Sequence, residues 1–127
     1  MRPTILLFGL TLLIAQLVSA QTSTPPSVPV GVGRAEVPGV TRTVLKEDAK
    51  SSVVRVRFEP GAKEVPHTHA YDVVLVPCTP GQVDFAVGEK MVASWKIGEV
   101  QFIPRDTVHH LANTGREPLE LIAVGIK

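Results

Sequence analysis

The segment Gly61-Ala-Lys-Glu-Val-Pro-His67-Thr-His69-Ala-Tyr-Asp-Val-Val-Leu-Val-Pro77-Cys-Thr-Pro-Gly81 carries two histidines two residues apart, then an unbroken apolar run. Side chains alternate along an extended chain, so His67 and His69 point to one side and can grip one ion together. Val73 to Val76 is β-branched or leucine throughout, which suits a strand buried on both faces. Turn residues bound the segment: Glu59-Pro60-Gly61-Ala62 before it and Thr79-Pro80-Gly81 after it. The other two of the four histidines stand together in a second cluster, with Gly98, Pro104, Asp106, His109, His110 and Asn113 at short intervals. Imidazole is the commonest protein ligand for transition metals, so the two clusters together predict a metal site.

Outward from this segment the chain reads as β. Val54, Val56 and Phe58 alternate with Arg55 and Arg57, which puts the arginines on a solvated face unless that face lines a barrel. Val83, Phe85 and Val87 share one face of the next strand, and Gly88-Glu89 fits a two-residue hairpin with glycine first. Met91 to Trp95, Val100 to Ile103, Val108 to Ala112 and Leu119 to Ile126 follow, separated by turns at Ile97-Gly98, Pro104-Arg105-Asp106 and Asn113-Thr114-Gly115. Trp95 and Phe85 are expected in the core. Many short strands with regular turns and no amphipathic helix predict an all-β sandwich or barrel over residues 40–127.

The first forty residues read differently. Arg2, an apolar run from Ile5 to Val18 and the ending Val18-Ser19-Ala20 predict a cleaved export signal over residues 1–20. The run is interrupted by Gly9, Thr11 and Gln16 and is short for a membrane span, so no stable insertion is expected after cleavage. Residues 21–39, with Gln21-Thr-Ser-Thr-Pro-Pro-Ser-Val-Pro at their start, read as a linker or an arm against a partner subunit. The chain has 13 Lys+Arg and 12 Asp+Glu, and removing Arg2 leaves 12 of each. A balanced charge gives no basic face for nucleic acid, so a small molecule or a second copy of the chain is the expected partner. Cys78 is the single cysteine and excludes an intrachain disulfide. Its expected state is a buried, inert thiol. A small exported domain without a disulfide must rely on core burial, a metal or association, and a homodimer is expected.

The two histidine clusters together resemble the paired motifs of the cupins. The first cupin motif runs G, five residues, HxH, three or four residues, E, six residues, G. Here it reads Gly61, five residues, His67-Thr-His69, four residues, Val74, six residues, Gly81. The second runs G, five residues, PxG, two residues, H, three residues, N, and here reads Gly98, Pro104-Arg105-Asp106, His109 and Asn113. The segment from His69 to Pro77 is also similar to small cupins named for β-alanine degradation. The resemblance covers residues 50–126 and implies a jelly-roll barrel, the cupin double-stranded β-helix. It further implies a divalent metal (Fe, Zn, Ni, Cu, Co or Mn) held by His67, His69 and His109.

Two departures stand out. Asp106 replaces a turn glycine, and aspartate tolerates left-handed backbone better than most residues. Val74 replaces the glutamate ligand, and a valine cannot bind a cation. Three neutral imidazoles leave coordination positions open and the ion's charge uncompensated, which favours an anionic ligand. Asp72 is expected either as a substitute ligand, as a group orienting a histidine, or as a strand-entry residue. Tyr71 either lines the mouth of the pocket or is an ordinary half-buried tyrosine. These two are the candidates for catalytic roles. His110 should turn away from the site, and Cys78 shares the parity of Val74 and Val76 and so can line the barrel. The resemblance favours a metal-dependent oxidoreductase such as a dioxygenase. A non-catalytic metal or small-ligand binding module and a metal-free scaffold are the other expectations, because one fold hosts many functions.

Overall fold

The computed structural model describes residues 36–127. The expected signal at 1–20 and most of the arm at 21–39 lie outside the described residues. Eight strands follow one another: β1 (Val40–Glu47), β2 (Ser51–Phe58), β3 (Asp72–Pro77), β4 (Gly81–Val87), β5 (Lys90–Trp95), β6 (Gln101–Ile103), β7 (His109–Asn113) and β8 (Leu119–Ile126). They form a five-stranded sheet in the order β1-β2-β8-β3-β6 and a three-stranded sheet in the order β5-β4-β7, antiparallel throughout. The expected all-β architecture is the one observed, and no helix occurs among the described residues.

Alternation decides what each strand buries. In β2, Val56 and Phe58 enter the core while Arg55 is exposed and Arg57 bonds Glu59 and lies near Glu120 on the outer surface. The arginine face is therefore outside the barrel. Phe85 and Trp95 are core residues as expected, with ring centroids 5.9 Å apart. Strand β3 departs from expectation. Val73, Leu75 and Pro77 are buried, whereas Val74 and Val76 are only half-buried on the opposite face. The apolar run there covers the outside of the sheet, where Val74 lies between Phe102 of β6 and Val124 of β8.

Local chemistry sets the turns. Gly88 opens the β4–β5 hairpin at φ +56°. Asp106 adopts φ +57° at the turn where the related motif has glycine, the conformation that aspartate tolerates. At the β1–β2 turn, Asp48 Oδ1 accepts from the N–H groups of Lys50 and Ser51 at 2.8 and 2.9 Å. These bonds to the charged form hold its carboxyl below the ordinary value of 3.8.

Strand β7 is anchored by Asn113, which is 2% exposed. Its Nδ2 donates to the carbonyls of Phe58 and Glu117, and its Oδ1 accepts from the Gly115 N–H. The side chain thus ties the end of β2 to the β7–β8 turn. Asn113→Ala would strand buried groups, so it should cost about 2–4 kcal/mol. A fall in melting temperature of roughly 10 °C or more should follow in a domain of this size. An unchanged thermal midpoint by circular dichroism would show that the ties carry no stability.

Candidate metal centre

His67 and His69 sit on an extended segment that precedes β3 and is joined to β7. His67 N donates to His109 O at 3.0 Å and His109 N donates to His67 O at 2.9 Å. Residues that exchange both bonds stand directly opposite each other with side chains on one side. The His67 and His109 ring centroids are consequently 4.1 Å apart. His69 joins them from two residues along, at 5.1 Å from His67 and 4.8 Å from His109. Its carbonyl accepts from Asp106 N at 2.7 Å, which ties the first histidine segment to the turn before the second.

One ligand nitrogen from each of the three rings can be chosen so that all lie within 4.8 Å of one another. Three nitrogens bound to one ion at about 2.0–2.1 Å stand roughly 3.0–3.5 Å apart. Closing around an ion therefore takes ring movements of up to about 1 Å each, within reach of small ring rotations. The tautomers suit this. His67 Nδ1 lies 2.7 Å from Val65 O, and His109 Nδ1 lies 3.0 Å from Thr107 O. A carbonyl can only accept, so both Nδ1 atoms carry the proton. Each Nε2 is left as a lone-pair donor, the arrangement that outer carbonyls impose on metal-binding histidines. The donor set fits a divalent transition ion.

The centre opens into a cavity of about 1290 Å³ between the two sheets. Tyr71 lines it and stacks on His69 at 5.5 Å with 22° between the rings. Tyr71 lies over Gly125 of β8. A Cβ at Gly125 would come within 2.6 Å of the Tyr71 ring and 2.7 Å of Ser52 Oγ, so only glycine admits the tyrosine there.

Four likenesses agree with this fold. Residues 54–125, more than half of the chain, match the family model described as "Cupin domain". The chain belongs to the cupin family. It is 27% identical over 105 residues to germin-like protein subfamily 2 member 2 of Arabidopsis thaliana, covering 80% of this chain. The match spans 45% of that plant protein, so this cupin corresponds to about half of its length. Among solved structures it resembles a cupin domain from Bordetella pertussis, with TM-score 0.63, 26% identity, and coverage of 74% of this chain and 99% of that one. It also resembles an RmlC-like cupin from Shewanella frigidimarina, with TM-score 0.62, 20% identity, and coverage of 72% and 82%. The latter likeness is one of fold.

The cupin barrel corrects several expectations. Val74 does not face the histidines. The inward residue is Val73, 4% exposed and lining the cavity. It stands after three residues from His69, the shorter gap that the first cupin motif permits. The extra residue falls between β3 and β4 instead. Both residues are valine, so the site still lacks a carboxylate from β3. Asp72 shares the outer parity of Val74, and its Oδ1 accepts from Arg105 N at 2.8 Å. It braces the turn at Pro104–Asp106, which fits the strand-entry reading, and the side chains that could hold a metal together are those of His67, His69 and His109. Cys78 is exposed, not buried, because outward parity continues past Pro77. His110 faces away as expected, with Nε2 3.3 Å from Asp84 Oδ1 on the outer surface. Arg42 and Glu64 also line the cavity and bond each other. Sequence patterning missed both, since Arg42 lies in a stretch of mixed polarity and Glu64 follows Lys63 in what reads as a solvated run.

Proposed function

We propose that this cupin binds one divalent transition metal through His67, His69 and His109 and uses its open coordination positions to engage a small molecule. The observation that carries this is the convergence of three imidazoles from two chain segments, two of them with the proton fixed on Nδ1. A bound ion would supply Lewis acidity or redox chemistry there. The protein's own contribution is the apolar wall of Val73 and Leu75, which limits water, and Tyr71, which steadies His69 by stacking. Iron is the ion that fits a metal-dependent oxidoreductase such as a dioxygenase. A specific observation also supports a non-catalytic binding module. Asp72 is turned out of the cavity, so β3 offers no carboxylate to move a proton beside the ion.

Export and pairing belong to the same proposal. Export rests on the apolar run ending at Ala20. Pairing rests on the limited core of a small domain and on exposed Met91, Ile97, Val100 and Phe102. Native mass spectrometry with elemental analysis of tag-free protein from the exported fraction tests all three. The expected result is an N-terminus at Gln21, about one metal ion per chain and two chains per particle. Protein purified without metal that takes up none at neutral pH would leave only the scaffold.

A further inference from the structure

The cavity that holds the three histidines also holds an ion pair which the metal centre does not use. Arg42 of β1 donates from one terminal nitrogen to Glu64 Oε1. Arg42 belongs to the five-stranded sheet. Glu64 lies three residues before His67, and its N–H donates to Leu111 O on β7 of the three-stranded sheet. The pair therefore spans the cavity from one sheet to the other. Both side chains are largely withdrawn from water, at 23% and 9% exposure.

A guanidinium presents five N–H donors in a planar fork. Among the described residues, Glu64 is the acceptor recorded for Arg42, and it takes one edge of that fork. Arg42 is also the one Lys or Arg among the described residues that line the cavity. Of the other acidic groups on that lining, Glu36 is exposed to solvent and Glu47 is paired with Lys127 at 2.8 Å. The charges then decide what the cavity accepts. Arg42 and Glu64 offset each other, and three neutral imidazoles add nothing. A divalent ion would add two positive charges beside a guanidinium that still has donors to spend. A neutral ligand answers neither, whereas a carboxylate matches the fork in both charge and shape.

We propose that Arg42 is the specificity-determining residue of this cavity and Glu64 its positioning partner, and that the ligand class is small carboxylates. One carboxylate of the ligand lies against the Arg42 guanidinium, and the ligand's other end is directed to the histidine centre. The second contact rests on the metal reading, but the first does not. Glu64 holds the guanidinium across the cavity and competes with the ligand for it.

Calorimetric titration of tag-free protein with succinate and with the neutral succinamide tests this, on the zinc-loaded and the metal-free forms. Succinate should bind at least about tenfold more tightly than succinamide, and Arg42→Gln should weaken it by about tenfold or more at unchanged zinc content. Arg42→Lys should keep part of the affinity, since it retains charge without the fork. Glu64→Gln should act in the opposite sense and tighten succinate, because its amide oxygen can still hold the guanidinium while the competing charge is gone. A merely structural ion pair would not give opposite signs. Equal affinity for succinate and succinamide, or an Arg42→Gln protein that binds succinate like the parent, would overturn the proposal while leaving the metal centre standing. Failure to load zinc would sink the metal reading alone. The metal-free titration then decides, and an absence of succinate binding in both forms would end the proposal. Should Arg42→Gln fail to fold, the Glu64→Gln sign and the succinamide comparison still decide it.

Discussion

His109→Ala protein is expected to lose more than about a hundredfold in zinc affinity, a larger loss than removing an outer-shell partner causes. The reason is geometric. His109 is held opposite His67 by a reciprocal pair of backbone bonds, and its Nδ1 proton is fixed on Thr107 O. Without it, two imidazoles remain on one extended segment, and these grip an ion poorly. His67→Ala and His69→Ala should behave in the same way. His110→Ala is the control, one residue away in sequence and on the other face of β7. It removes a surface contact with Asp84, whose partners are 28% and 49% exposed, and such pairs contribute about 0–1 kcal/mol. Zinc content should stay at the parental level. Competition against a chelator of known affinity measures both. Loss of zinc in His110→Ala with retention in His109→Ala would show that the register of β7 is wrong by one residue.

The second large effect concerns the place of the absent glutamate. Val73→Glu should destabilise the metal-free protein by about 2–5 kcal/mol, since it puts a carboxylate into a site that is 4% exposed. Zinc should recover much of that loss, because the cation compensates the buried charge. Zinc binding should therefore tighten by about tenfold or more relative to the parent. Val74→Glu points the same group to the outside of the sheet, between Phe102 and Val124. It should cost no more than about 1 kcal/mol and leave zinc affinity unchanged. Chemical denaturation with and without zinc separates the two variants. Tighter zinc binding by Val74→Glu in place of Val73→Glu would overturn the inward assignment of Val73.

Much of this architecture is legible without coordinates wherever pattern and period agree. The alternation of Val54, Val56 and Phe58 against Arg55 and Arg57 reports a sheet with one wet face. The spacing of His67 and His69 places two rings on one side of an extended chain. The parity of His109 and His110 separates the histidine that faces the cavity from the one on the outer surface. Each of these follows from a period of two that needs no tertiary partner. Strand β1 escaped the same treatment. Val40 to Glu47 is an edge strand in which only Val40 and Arg42 are half-buried, so its composition carries almost no alternating apolar signal.

The same limit explains Val74. In Val73-Val74-Leu75-Val76 every residue is apolar, so the sequence has no contrast from which to assign the inner face. Motif counting permits either of two gaps after His69. The hydrogen-bond register resolves it by pairing Val73 with Gly125 and Ile103 around the cavity. Cys78 followed from the same ambiguity and turned out exposed. Asp72 left three readings open because it is near His69 in sequence, and its carboxylate serves a backbone N–H on a turn thirty-three residues away.

What the sequence determined alone was local: strand periodicity, turn chemistry at Gly88 and Asp106, and a shared side for His67 and His69. Those features depend on residues within a few positions of one another, where backbone sterics act without help from the rest of the chain. The tertiary structure decided which histidine stands opposite His67, which valine faces the cavity, and that Arg42 of β1 meets Glu64 beside the histidines. Each of these joins segments that are distant in sequence. Their juxtaposition is set by sheet register and by the burial of Phe58, Phe85 and Leu121 between the sheets, which no local pattern encodes.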